Sequence, residues 1–357
     1  MPIDQQVREY ISKQGHITVD RLMKEALTAS PNSYYKHKNL LGAKGDFITS
    51  PEISQVFGEA IGLWCIEFWE KLGKPQKISL VELGPGRGLL MRNLLKVAQI
   101  VPEFYEAVQV ELVDINPNFI EWQKKNLENF DINIRWLSDI ADISKDPSLF
   151  IANEFFDALP IKQFIKVKET WFETILVSDP NDGKIKFDKI ALNKTLNEQF
   201  LNDYPTAYDG AVVEESLESL QVIRTISNHI KVQTGAALII DYGYYINNLK
   251  RTRHQYNSTL QAIKNHQFCP VLDTLGEADL SAHVDFFSLE KTAKEYNIKT
   301  SNFLSQRGFL INYGILQRAE MLKKSLEVEA AKIIDRQVER LISPQFMGEL
   351  FKVLCLS

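Results

Sequence analysis

Between the apolar run ISLVEL and the amphipathic run LLMRNLLKVAQI the chain reads GPGRG, with glycine at every second position: Gly84, Gly86 and Gly88. A strand, a glycine turn and a helix in that order open an α/β sheet whose ligand sits beyond the carboxyl ends of the strands, against the first turn. Glycines are needed there either because the backbone adopts conformations that side chains oppose, or because something packs closely against it.

The alternation continues along the chain. AVQVELVD precedes a helix whose start is marked by Asn116 and Pro117. INIRWLSDI and SLFIANE are further runs of strand length, and GAALIIDYG is another, preceded by the helical ESLESLQVIRTISNHI. Strands apolar on both faces and separated by helices predict a doubly wound α/β sheet covered on both sides. FIKVKETWFETILVSDPNDGKIKFDKIAL instead alternates apolar and polar residues around a DPNDG turn, which predicts an inserted antiparallel element. The expected divisions are 1–73 for N-terminal helices and a donor-covering loop, 74–165 for the first part of the core, 166–210 for the insert, and 211–357 for the remaining core and its C-terminal elements. The last part includes one long helix through AEMLKKSLEVEAAKIIDRQVERLI and a final strand, FKVLCLS.

The formal charge of −5 supplies no basic field for nucleic acid, so no nucleic-acid partner is expected. Cys65, Cys269 and Cys355 are few, odd in number and far apart, which points to a reduced compartment and no metal site. No run is long and apolar enough to insert in a membrane. The N-terminus has neither a signal-peptide core nor the character of an organellar presequence, so a cytoplasmic bacterial protein is expected, or a processed chain of the mitochondrial matrix.

The spacing G-x-G-x-G has Leu89 where the dinucleotide fingerprint needs its third glycine. Glu82, two residues before Gly84, favours a ligand with a cation or many hydrogen-bond donors over one with phosphates. S-adenosyl-L-methionine (SAM), with a sulfonium, an ammonium and no phosphate, is such a ligand. Asp114 ends the second strand, where a carboxylate can accept both ribose hydroxyls, and Asp139 follows the third, where it can take the adenine amino group. Glu111 competes with Asp114 but lies inside the strand. Glu82, Gly84, Pro85, Gly86, Gly88, Asp114 and Asp139 are therefore the expected donor site; the alternative is a turn that is merely tight.

The fourth strand ends in IANEFFDALPIKQF, at the terminus that faces the methyl donor. Glu154 and Asp157 are the expected catalytic pair, with Asn153 and Phe155 as acceptor contacts. Paired carboxylates suit the planar donor fork of a guanidinium. An amide or small-ring acceptor also fits, and so does a plain cap for the next segment. The unpatterned stretch 31–52 ends within GDFITSPEIS and is expected to cover the donor with Asp46, Phe47, Thr49 and Ser50, with Ser50 also capping a helix ahead of Pro51. His283, two residues before Asp285, is the histidine assigned to acceptor contact, beside an equal reading as a structural histidine.

GDFITSPEISQVFGE, VELGPGRG, ANEFFDALPIKQF, LIIDYGY, GEADLSAHVDF and MGELFKVL, in this order, resemble the motifs of the MidA family of SAM-dependent methyltransferases, over nearly the whole chain. The resemblance implies a class I methyltransferase (Rossmann-like) fold with extra N-terminal helices and an inserted β element. It further implies donor contacts at Gly84, Gly86 and Gly88, a ribose acid at Asp114 and an acidic site at Glu154 and Asp157. The family includes a mitochondrial complex I assembly factor described as forming symmetric dimethylarginine on a respiratory complex subunit, so a protein substrate is implied. PNSYY departs from the family's pattern, which tends to place glycine before the tyrosine. A protein arginine methyltransferase is the leading expectation, against a small-molecule methyltransferase or an assembly scaffold that keeps the fold.

Overall fold

Leu80 and Val81 are neighbours in sequence, belong to different apolar cores and are both fully buried. Successive side chains of a strand point to opposite faces, so this strand, β1 (Ile78–Leu83), is covered on both sides. It is central to an eight-stranded sheet. The other strands are β2 (Val108–Val113), β3 (Ile134–Leu137), β4 (Ser148–Asn153), β5 (Gly235–Tyr244), β6 (Leu304–Ser305) and β7 (Phe351–Leu356), with the pair Val284–Asp285 alongside the end of β5. The order is β6-β7-β5-β4-β1-β2-β3. Strands β5, β4, β1, β2 and β3 are mutually parallel, and β7 runs antiparallel to β5. The expected doubly wound sheet is thus present, and the final strand is its antiparallel member. The computed structural model describes residues 1–36, 49–300, 303–324 and 326–357.

Helices α1 (Ile3–Gln14), α2 (Val19–Lys24), α3 (Ser50–Ile53), α4 (Gln55–Lys71), α5 (Leu89–Ala98) and α6 (Pro117–Leu127) belong to the first part of the chain. Helices α7 (Leu217–Gln233), α8 (Phe286–Glu295), α9 (Ile315–Lys323) and α10 (Val328–Ile342) follow. One face of the sheet is covered by α4, α5, α9 and α10, the other by α7 and α8. On α4, a Cβ at Gly58 would stand 3.0 Å from the Leu90 carbonyl oxygen and one at Gly62 would stand 3.2 Å from that of Leu94. The two glycines let α5, the helix after the glycine turn, lie directly against α4.

The antiparallel element is present as Lys162–Val167, Thr170–Ser178 and Ile185–Ala191. Two strands the pattern did not mark complete its sheet: Val212–Glu215 beside Lys162–Val167, and Ile17–Thr18 from the N-terminus beside Thr170–Ser178. The sheet therefore draws on residues either side of 166–210. A third sheet, Gln267–Cys269, Gln261–Lys264 and Asp279–Ser281, was also unmarked, because strands of three or four residues carry no readable alternation. The expected single C-terminal helix is two, α9 and α10, separated between Lys323 and Val328. The break lets Val338 and Leu341 of α10 return to the core that holds Ile315 and Ala319 of α9.

Candidate active site

All three glycines of the turn have positive φ, 62°, 51° and 75° at Gly84, Gly86 and Gly88. A Cβ on Gly84 would lie 2.9 Å from Phe155 Cδ2, and one on Gly88 would lie 3.3 Å from the Gln123 Cα. Backbone geometry and close protein neighbours therefore both require glycine. The turn delivers the N-terminus of α5, where the Met91 N–H donates to the Glu82 carboxylate. Glu82 is 3% exposed and its Oε2 has no partner among the described residues. Burial, reinforced by Asp114, pushes its carboxyl up to about 8. An unsatisfied buried carboxylate oxygen costs free energy until a donor reaches it. The ammonium of an amino-acid ligand is such a donor, so the site fits SAM.

Asp114 follows β2. Its Oδ1 accepts the Asn116 N–H at 2.8 Å and its Oδ2 accepts Gln123 Nε2 at 2.7 Å, while burial pushes the carboxyl up to about 6. The same Gln123 amide donates to the Gly86 carbonyl at 2.8 Å and accepts the Trp136 indole N–H at 3.1 Å. One fully buried side chain thus fixes the turn, the acid after β2 and β3 relative to each other. The competing Glu111 is occupied by Arg135 and the Ser144 N–H and does not line the cavity. Asp139 follows β3 and caps the turn after it through the Ala141 N–H at 2.8 Å. Arg87 stacks on Trp122 at 3.7 Å and reaches Glu52 of α3 at 3.4 Å, so the turn also touches the start of the helical layer.

Glu82, Gly84, Pro85, Gly86, Asp114 and Asp139 line one cavity of about 590 Å³, and so do Asn153, Glu154, Phe155 and Asp157 at the end of β4. The donor-side and acceptor-side residues expected from the sequence thus meet in one space, apart from Gly88, Ser50 and His283, which are not in its lining, and from Asp46 and Phe47, which are not among the described residues. Glu154 has φ 51°, and its Oε1 accepts the Ser50 N–H at 2.8 Å and Asn153 Nδ2 at 3.0 Å. Burial, with Asp157 nearby, pushes its carboxyl up to about 7. Asp157 is raised to about 6 by burial and receives the Tyr242 hydroxyl.

The loop carrying both acids is fixed from β5. Asp241 Oδ2 accepts the N–H groups of Phe155, Phe156 and Asp157 at 3.2, 3.0 and 3.2 Å, and its Oδ1 accepts that of Tyr242 at 2.9 Å. Burial and the two neighbouring carboxylates raise Asp241 as well.

Thr49 lines the cavity and holds the N-cap position of α3; Ser50, expected as the cap, is the first helical residue, and its N–H goes to Glu154. The expectation for Ser50 is corrected because the chain leaves extended geometry one residue earlier, at Thr49. Asp46 and Phe47 lie outside the described residues. His283 packs edge-on against Tyr242, a lining residue, with ring centres 5.4 Å apart, and is not itself in the lining. Asp285 caps α8.

Four contributors were missed. Asp241 stands in β5 just past its last pair with β4, on the ligand edge, so its position was a usable signal. Gln123 is a polar residue on the inner face of α6, a weaker one. Tyr35 and Asp279, joined by a hydrogen bond of 2.8 Å, come from distant unpatterned segments and gave none.

A family model described as S-adenosyl-L-methionine-dependent methyltransferase matches residues 60–304. "Protein arginine methyltransferase NDUFAF7, mitochondrial" of Danio rerio is 36% identical over 95% of this chain and 82% of its own length. The Homo sapiens protein of that name is 34% identical over 97% and 81%. A crystal structure of a COG1565 superfamily member from Burkholderia thailandensis, bound to S-adenosyl-homocysteine, superposes with a TM-score of 0.87 at 24% identity, over 99% of this chain and 91% of that one, and so shares its fold. With the glycine turn, the acids at the ends of β1 and β2 and the sheet order all in place, the chain belongs to this family of S-adenosyl-L-methionine-dependent methyltransferases.

Proposed function

We propose that the enzyme methylates an arginine side chain of a protein. The observation that carries this reading is the placement of Glu154 and Asp157, two carboxylates at the end of β4, in the cavity that also holds Glu82 and Asp114. The relatives named protein arginine methyltransferases support it. In the proposed roles, Glu82, the glycine turn, Asp114 and Asp139 hold the donor. SAM supplies a sulfonium methyl, which a guanidinium nitrogen takes with loss of one proton, leaving the thioether S-adenosyl-homocysteine. Asp157 accepts guanidinium N–H groups and keeps positive charge on that edge, so the opposite nitrogen is free to attack. Glu154, whose carboxyl lies near 7, is placed to take the proton. Phe155 and Asn153 confine the acceptor. A respiratory-complex subunit as the acceptor, and a mitochondrial or bacterial cytoplasmic setting, belong to the same proposal.

The test is incubation of the pure enzyme with methyl-labelled SAM and a cell lysate, followed by mass spectrometry of the labelled protein. Methylarginine is the expected product. Label found on lysine, or only in small molecules, would overturn the reading.

A further inference from the structure

SAM brings an α-carboxylate beside its sulfonium and ammonium, and that carboxylate has to enter a cavity walled by acids. Among the described residues the lining holds eight carboxylates and two cations, Lys24 and Arg87. A carboxylate placed among others without a cation beside it is opposed by their charge and by the loss of its water. The two cations differ in what they can offer. Lys24 of α2 donates to Glu218 of α7 at 2.8 Å, and with side chains 47% and 44% exposed this pair is well solvated.

Arg87 belongs to the glycine turn itself, between Gly86 and Gly88, and is held from two helices. On α6, Asn126 Nδ2 donates to the Arg87 carbonyl at 2.8 Å, and Trp122, one helical turn earlier, carries the guanidinium 3.7 Å from its ring centre. On α3, Glu52 accepts Arg87 Nη1 at 3.4 Å. A guanidinium has five N–H donors, and this long contact uses one of them. Its Nε is buried and has no partner among the described residues.

The turn is thus flanked by two unsatisfied groups of opposite charge. Glu82, two residues before Gly84, has a carboxylate oxygen without a partner, and Arg87, one residue before Gly88, has a guanidinium N–H without one, among the described residues. Both residues line the cavity. An α-amino acid carries the complement, an ammonium and a carboxylate on one carbon.

We infer that Arg87 receives the α-carboxylate of the methyl donor while Glu82 receives its ammonium, so that the turn selects a donor whose amino-acid end is intact. Trp122 and Asn126 are positioning residues for Arg87. The assignment concerns the donor alone and does not depend on which acceptor is methylated.

The experiment is calorimetry with S-adenosyl-homocysteine and with its analogue lacking the α-carboxylate, on wild type, Arg87→Met, Arg87→Gln, Arg87→Lys and Lys24→Met. The ratio of the two affinities within one variant is what is read, because a general disturbance of the turn weakens both ligands alike. Wild type should bind S-adenosyl-homocysteine at least about tenfold more tightly than the analogue, as a charge-assisted contact requires. Arg87→Met should bring the ratio close to one. Arg87→Gln, neutral but still able to donate to Glu52, should do the same and carries the test if Arg87→Met does not fold. Arg87→Lys should keep part of the preference, since it retains the charge without the planar fork. Lys24→Met should leave the ratio as in wild type. A wild-type ratio near one, equal weakening of both ligands in the neutral Arg87 variants, or loss of the preference in Lys24→Met instead would each overturn the inference.

Discussion

Ser50 and Glu154 are 104 residues apart, and the backbone N–H of the first donates to the carboxylate of the second at 2.8 Å. The first turn of a helix has N–H groups with no partner inside the helix. In α3 one of them is satisfied by the acid proposed to act on the acceptor. The start of α3 and the acceptor site are thus linked through one carboxylate. Gln at position 154 could keep that bond through its amide oxygen, whereas Ala could not. Glu154→Ala should therefore melt below Glu154→Gln, and equal melting temperatures would show that the contact carries no stability.

Gly84→Ala combines a positive φ with a Cβ placed 2.9 Å from Phe155. The strain is of order 1–3 kcal/mol. Lower melting temperature and weaker S-adenosyl-homocysteine binding should appear together, because displacing Phe155 disturbs the cavity from the donor side. A variant that melts and binds like wild type would refute the close-packing account of this glycine.

Gln123→Leu removes an amide that serves Gly86, Asp114 and Trp136 at once. Each buried polar group left without its partner costs about 1–3 kcal/mol. Calorimetry should show S-adenosyl-homocysteine affinity reduced by about tenfold or more. Unchanged affinity in the folded variant would mean that the turn and Asp114 hold their places without it.

The parts visible in the sequence were those written into single elements. Leu80 and Val81, apolar on both faces of one strand, announce a covered parallel sheet; Gly84 to Gly88 announce the ligand edge; Asp114 is marked by the cap at Asn116. What stayed hidden arises between elements. Nothing local to Asp279 says that Tyr35 will meet it, and Gln123 becomes informative only once α6 is laid beside the glycine turn. His283 shows the opposite case: its residue type suggested chemistry, but it packs against the Tyr242 ring and is not in the cavity lining.

Stability should depend on pH with a definite sign. Burial raises Glu82 to about 8, Glu154 to about 7, and Asp114 and Asp157 to about 6. In the unfolded chain such groups titrate near about 4. Between about pH 5 and 8 the folded protein therefore binds more protons than the unfolded one, so this contribution is most favourable at the acidic end and is lost as pH rises. Melting temperature of the ligand-free protein should fall across that window, and Glu154→Gln should fall less steeply between about pH 5 and 7. A rising profile, or identical slopes, would contradict the assignment of these groups.

The most direct measurement is methyl transfer to an arginine peptide at saturating SAM by wild type and Glu154→Gln, with S-adenosyl-homocysteine affinity measured on both. Glu154 stands at the end of β4 with Asn153 and Asp157, while Glu82 lies at the end of β1 and Asp114 follows β2. Removing its charge should lower transfer by at least about tenfold and leave product affinity nearly unchanged. Full transfer by Glu154→Gln would contradict its role as the acid at the acceptor, and a parallel loss of S-adenosyl-homocysteine affinity would place it in the donor site instead.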